Sequence, residues 1–357
     1  FYAINMSNMT DYITNPIDSN VSSNLIVSNR TIDNDRLSEL CGHIDYQQIT
    51  TVIFQDCTFI NNTPKLRFFI RSNSLKHIEF INVYFDMSTF NTMFECSNIK
   101  YIKFENCGTD KIYSCERMFT YSDELEEVEF INFDASYVTN MNEMFRNCYK
   151  LKRLDLSSFD THKVVEMNYM FQNCESLENI DFGKHFDTRK VRRMDYMFSN
   201  CTKLKQLNLS NFDTRNVISM LDMFCNCNSL EYVNISSFDT KNVVNMSCMF
   251  EDCSSLNTLD LSNFDTSSVV IMSKMFRYCD KLVNLIHNLQ FDDCNDMSEM
   301  FMNCARLNRI VLNKIDNRTN ITNIFRNCNI EVVVNKDDVE WMKEECRSKR
   351  VKITCEN

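Results

Sequence analysis

The chain has 357 residues, with 38 Lys and Arg against 49 Asp and Glu, a formal net charge of −11. Only 3 Gly and 2 Pro stand beside 18 Cys and 21 Met, so a Gly-rich phosphate loop, a collagen-like helix and a Pro-rich linker are excluded; 44% hydrophobic content excludes a disordered chain. The acidic balance argues against nucleic acid as the main partner.

Residues 1–40 carry no period and are rich in Asn, Ser and Thr, which reads as an N-terminal arm or cap. Phe1 to Met6 has neither the basic nor the apolar region of a signal peptide, and an opening Phe leaves room for a removed leader or anchor. No stretch reaches the ~18 consecutive apolar residues of a membrane-spanning helix.

Residues 41–334 repeat one pattern. A Met-Phe pair recurs at Met93-Phe94, Met118-Phe119, Met144-Phe145, Met170-Phe171, Met197-Phe198, Met223-Phe224, Met249-Phe250, Met275-Phe276 and Met300-Phe301, and Ile324-Phe325 continues it. The steps between these Phe residues run from 24 to 27, and Phe69 and His43 extend the phase backwards, giving about twelve turns. Such a period is the signature of a solenoid. In the unit from Leu151 to Cys174, Leu154 and Leu156 alternate as in a short strand. Val164, Met167, Met170 and Phe171 fall three to four apart, which predicts a short helix or 3-10 turn. No unit can bury its own apolar edge; stacking the units makes one core, with parallel strands about 4.8 Å apart.

The wording L-D-L-S-x-F-D-T-x-x-V-x-x-M-x-x-M-F-x-N-C is clearest at Leu154 to Cys174, Leu207 to Cys227 and Leu259 to Cys279. It resembles the BspA-like leucine-rich-repeat family of surface proteins, well over residues 69–330 and weakly over 41–68. The resemblance implies an α/β repeat fold: a right-handed leucine-rich-repeat solenoid with one parallel sheet and short helices or 3-10 turns opposite. It also implies adhesion or protein binding at a cell or virion surface, and assigns no chemistry. Departures from the pattern occur at Cys96, two rather than three residues after Phe94, at Ser122, at an insertion around Gly183-Lys184-His185, and at Phe291 to Asp296, which lacks the Val.

The columns of the repeat have structural readings. Cys96, Cys148, Cys174, Cys201, Cys227, Cys253, Cys279, Cys304 and Cys328 form a ladder of small buried thiols, since parallel side chains in equivalent environments make poor disulfide partners. Unpaired thiols in this number suit assembly in a reducing cytoplasmic compartment, against the surface location the family implies. Cys41, Cys57, Cys107, Cys115, Cys248, Cys294, Cys346 and Cys355 lie off the ladder and are open to isolated pairing. Met141, Met167, Met194, Met220, Met246, Met272 and Met297 fill a second core column. Asp160, Asp187, Asp213, Asp239 and Asp265 read as caps of the next helical segment, with His162, Arg189, Arg215 and Lys241 easing their repulsion. Asn147, Asn173, Asn200, Asn226, Asn303 and Asn327 read as buried amides that satisfy turn backbone. Eleven N-x-S/T sequons include Asn200, where a glycan would contradict the fold.

Two surfaces remain as candidate sites. The outward position of each strand varies: Ile53, Glu79, Lys103, Glu129, Asp155, Asp181, Asn208, Asn234, Asp260, Ile286 and Val311. Its run of acids, deepened by Glu124, Glu126 and Glu127, and its apolar end suit a partner-docking face. A basic patch gathers Lys184, Arg189, Lys190, Arg192 and Arg193 at the insertion. The five His residues form no metal or triad spacing, and no nucleophile–base set suggests catalysis, so no cofactor or metal is expected. Residues 335–357 read as a C-terminal cap of helix plus strand, sealed by Trp341. The sequence therefore predicts a non-enzymatic protein-binding solenoid of surface or adhesion type. The alternative is a structural component of a large assembly, such as a virion-associated protein or cytoplasmic scaffold.

Overall fold

A computed structural model describes residues 2–4, 24–37, 48–60, 73–312, 315–346 and 350–355. Phe69, His43 and Cys41, and the sequons at Asn5, Asn8, Asn20 and Asn61, lie outside them. The chain winds as a parallel β-solenoid with one strand of the main face per coil. Successive strands Asn24–Ser28, Thr51–Gln55, His77–Ile81, Tyr101–Glu105 and Glu127–Ile131 pair in parallel, in register. Later strands shorten to three or four residues, as at Arg153–Asp155 and Gln206–Asn208. Coiling starts upstream of the expected boundary at residue 41, because Asn24–Ser28 already pairs with Thr51–Gln55 and with Tyr2–Ile4. Leu25 and Val27 supply the inward alternation there without any Met-Phe marker.

One hydrophobic core runs from Leu25 to Met342. Its spine is the repeated Phe: rings from Phe94 to Phe325 stack coil on coil at 5.1–6.0 Å between centroids. Each stacked pair contributes roughly 0.5–1.5 kcal/mol beyond its buried area. The first coils add a second Phe stack, Phe54, Phe80, Phe104 and Phe130, behind the longer strands. The methionine columns are buried, most of them fully.

Opposite the sheet, one helical turn at residues 34–37 apart, the described residues before Lys336 form no helix; this side is built of successive β-turns. Along Met141 to Leu151 alternate amides serve two directions. Met144, Arg146 and Cys148 donate three residues back, whereas Glu143, Phe145 and Asn147 donate to Asn168, Met170 and Gln172 of the next coil. A helix would need all of these bonds within the segment. The alternation instead requires left-handed backbone two residues before and two after each spine Phe, as at Glu143 (φ 55°) and Asn147 (φ 61°). Among the described residues, twenty-five non-glycine positions adopt positive φ. The scarcity of glycine therefore does not mean a scarcity of left-handed turns, because Asn, Asp and the axial hydrogen bonds hold them.

The structure corrects the reading of several columns. The ladder position after Phe94 is Ser97, buried and 3.1 Å from the Ser122 hydroxyl, while Cys96 is exposed. Each ladder thiol from Cys148 to Cys328 donates to the carbonyl of the spine Phe one coil back, at 2.8–3.3 Å. Ser122 donates likewise to Phe94. The Asn column does not chiefly satisfy turn backbone: Asn173, Asn200 and Asn226 each donate their amide to the Asn one coil back, and most of the column is half-buried rather than buried. The insertion is taken up where the chain leaves the sheet, at Gly183 (φ 58°), where a Cβ would meet the Ser157 backbone at 2.6 Å. Cys294 is buried in the place of the missing Val. At the C-terminal end a helix, Val339–Glu345, precedes Val351–Cys355, which pairs with Ile330–Val334. Met342, fully buried, is the residue that plugs the core there; Trp341 only rests against it.

Candidate functional site

The outward strand column divides in two. At its N-terminal end Glu79, Lys103 and Glu129 sit directly opposite one another on adjacent strands. His77 Nε2 lies 2.6 Å from Glu79 Oε1, the His77 and Tyr101 rings are 4.3 Å apart, and Lys103 is paired with Glu105. Burial, helped by a hydrogen bond to Glu129, raises the Tyr101 phenol above its ordinary value. This end is a connected polar network rather than a row of free acids.

From Asp155 onward the column has a backbone task. Asp155, Asp181, Asn208, Asn234 and Asp260 each accept, through Oδ1, the amide two residues on, at 2.8–3.2 Å. These Asx turns bend the chain out of the sheet. Either Asp or Asn serves, so folding requires the side-chain oxygen and leaves the charge unspecified. Of the acids expected to deepen this face, Glu124 is held by Lys150 at 2.6 Å and Glu126 by Lys100 and Lys152 at 3.2 Å each. The hydrogen bonds from these lysines lower both carboxyls. At the far end of the column Ile286 is 51% exposed, beside Asp260 in register, and Val311 lies half-buried opposite Val333.

The basic patch borders an open groove of about 780 Å³ on the flank of the solenoid, lined by Lys184, Arg189 and Lys190 with Asp160, Asp187 and Asp213. Arg192 and Arg193 do not line it. Arg189 is bound to Asp187 at 2.6 Å, Arg215 to Asp213 at 2.7 Å, and Arg193 to the buried Asp195. The patch is thus a row of ion pairs with Lys184, Lys190 and Arg192 exposed among them. The Asp column accepts the amide two residues on, as at Asp187 to Arg189 (2.9 Å), so it opens β-turns rather than helices.

The sequence reading left unassigned the Thr that follows each Asp. Thr161, Thr188, Thr214, Thr240 and Thr266 are buried, and each hydroxyl bridges to the next coil. Thr214, for instance, donates to Asp239 O (2.9 Å) and accepts from Asp239 N (2.8 Å). The invariance of the F-D-T triplet across five coils was the available signal.

The family described as "Mycoplasma protein of unknown function, DUF285" matches residues 87–207 and 200–315. No curated protein matches the chain. Among solved structures, a chain of the Toll–Spatzle complex of Drosophila is 16% identical, with 89% of this chain and 48% of that one covered and a TM-score of 0.31. A chain of the TLR13–ssRNA13 complex is 11% identical, covering 92% and 66%, with a TM-score of 0.24. A leucine-rich repeat protein from Eubacterium ventriosum is 13% identical, covering 80% and 86%, with a TM-score of 0.32. The chain thus spans about half of the first of these chains and two thirds of the second. Among the described residues no helix is long and apolar enough to cross a membrane.

Proposed function

Because the chain belongs to that family, we propose that it is a non-enzymatic, protein-binding solenoid of surface or adhesion type whose partner docks on the strand face from Glu129 to Val311. The observation that supports this is the Asx-turn column. Five consecutive coils need the same oxygen at the same place, yet Asp155, Asp181 and Asp260 carry charge where Asn208 and Asn234 do not. Charge that folding does not require, ending at the exposed Ile286, is the kind of variation a recognition face uses. The resemblance to BspA-like surface repeats points the same way.

The column supplies its own test. Replacing Asp155, Asp181 and Asp260 together by Asn keeps every Asx turn and removes three charges. A partner captured by the wild-type protein from a cell-surface extract, then purified, should bind the triple variant at least tenfold more weakly, with faster loss as salt rises. Unchanged affinity, also after Ile286→Asn, would remove the face from consideration. Binding that persists there but falls on replacing Lys184 and Lys190 would transfer the reading to the flank groove.

A further inference from the structure

We propose that Asp222, Cys225, Cys248 and Glu251 form a binding site for a divalent cation of the zinc class, on the turn side of the solenoid and remote from the strand face. These residues stand two before and one after the spine Phe of consecutive coils, Phe224 and Phe250. The two columns they belong to run side by side along the axis, and several of their charged and aromatic members pair with one another. Arg117 meets Glu95 at 3.1 Å, Arg146 meets Glu143 at 3.0 Å and lies over Tyr169, and Tyr169 stacks on Tyr196 at 4.8 Å. Further on, Arg277 joins Glu251 (3.2 Å) to Glu299 (3.3 Å).

Between Tyr196 and Arg277 this alternation stops. Two carboxylates and two thiols follow one another, and one ligand atom each from Asp222, Cys248 and Glu251 lies within 4.8 Å of the others. The Cys225 thiol lies against Asp222, and the Cys248 thiol against Glu251. Lys274 stands near Cys248, and Arg277 takes Glu251 Oε1 while also engaging Glu299. Asp222 is contacted by the Tyr196 phenol and lies near the acids Glu251 and Asp195.

The donor set selects the ion. Thiolate sulfur with carboxylate oxygen suits a borderline-soft cation bound at about 2.0–2.3 Å, and disfavours calcium or magnesium, which take oxygen alone. The Asp222, Cys248 and Glu251 ligand atoms, 4.8 Å apart or closer, need only a modest side-chain contraction to meet one ion, and Cys225, against Asp222, supplies the fourth donor. Binding releases the two thiol protons, so apparent affinity rises with pH.

The test is a titration of the reduced, full-length protein with Cd²⁺, read by sulfur-to-cadmium charge-transfer absorbance, with Zn²⁺ as competitor. One saturable equivalent displaced by Zn²⁺ is expected. It should be lost in the Cys225→Ser/Cys248→Ser variant and retained in Cys96→Ser. The Asp222→Asn/Glu251→Gln variant, with every thiol intact, should bind at least tenfold more weakly. Absence of a saturable equivalent in the wild type, its retention in the Cys225→Ser/Cys248→Ser variant, or unchanged affinity in Asp222→Asn/Glu251→Gln would each overturn the site.

Discussion

Thr214 is the sharpest probe of what joins one coil to the next. Its side chain is fully buried, and its hydroxyl both donates to Asp239 O (2.9 Å) and accepts from Asp239 N (2.8 Å). Valine has nearly the same shape, so Thr214→Val removes the hydroxyl without opening a cavity. Two hydrogen bonds worth about 0.5–1.5 kcal/mol each disappear, and the Asp239 amide and carbonyl lose the partner that the hydroxyl gave them, at about 1–3 kcal/mol for a buried group left unpaired. Extra methyl burial, about 0.8 kcal/mol, offsets part of this, so a net destabilisation of about 2–4 kcal/mol is expected. Thr214→Ser is the control: it keeps both bonds and loses one methyl, costing about 1 kcal/mol. The assay is equilibrium urea unfolding, with amide exchange at Asp239 as the local readout, since each coil contacts only its neighbours. The expected order is wild type, then Ser, then Val. A Val variant as stable as the Ser variant, or more so, would show that the hydroxyl bridge does not hold the coils together.

Two further outcomes test the other ladders. Asn200 sits at φ 61°, donating to Asn173 and accepting from Asn226; Asn200→Ala loses both bonds and the left-handed tolerance, whereas Asn200→Gly loses only the bonds, so Gly should be the more stable of the two by about 1 kcal/mol in urea unfolding. If Ala matches Gly, the left-handed backbone is not what Asn is selected for. The thiols give the second: burial pushes Cys107, Cys115 and Cys227 up to about 12, and raises Cys174, Cys201 and Cys253 well above the ordinary thiol value. Thiol-reactive dye at pH 8 should therefore modify Cys96 and Cys355, both exposed, in the native protein and reach the ladder only after unfolding; rapid labelling of Cys201 or Cys253, located by peptide mass mapping, would contradict a sealed corner.

How much of this was legible depends on the direction in which each residue makes its contacts. Inward columns could be read from one coil, because Leu154, Met167, Met170 and Phe171 bury the same face in every repeat and hydrophobic period reports burial directly. The turn side could be read no more finely than a short helix or 3-10 turn, because three-to-four spacing over eight residues fits a helical turn and a pair of β-turns equally well. What separates them is whether Glu143 and Phe145 donate along the chain or across to Asn168 and Met170, and no local pattern carries that. Ser97 shows the same limit at one position: residue identity favoured Cys96 for the ladder, while the constant three-residue offset from the spine Phe assigned Ser97.

The candidate sites were harder because their members belong to different coils. Asp222 and Cys248 are 26 residues apart in sequence, the length of one coil, and each is an ordinary residue in its own repeat. Only stacking turns them into neighbours. A solenoid thus hides its chemistry along the axis: the repeat shows what must stay the same from coil to coil, and function has to be sought where vertically adjacent residues change together. The strand face meets that criterion in its charge, where Asp and Asn exchange under a fixed Asx turn. The cluster at Asp222 meets it in donor type, where arginines and stacked rings give way to sulfur and carboxylate for two coils. The two departures lie on opposite sides of the same core. Each can therefore be altered without touching the other, so loss of binding at one and loss of metal at the other are separable results.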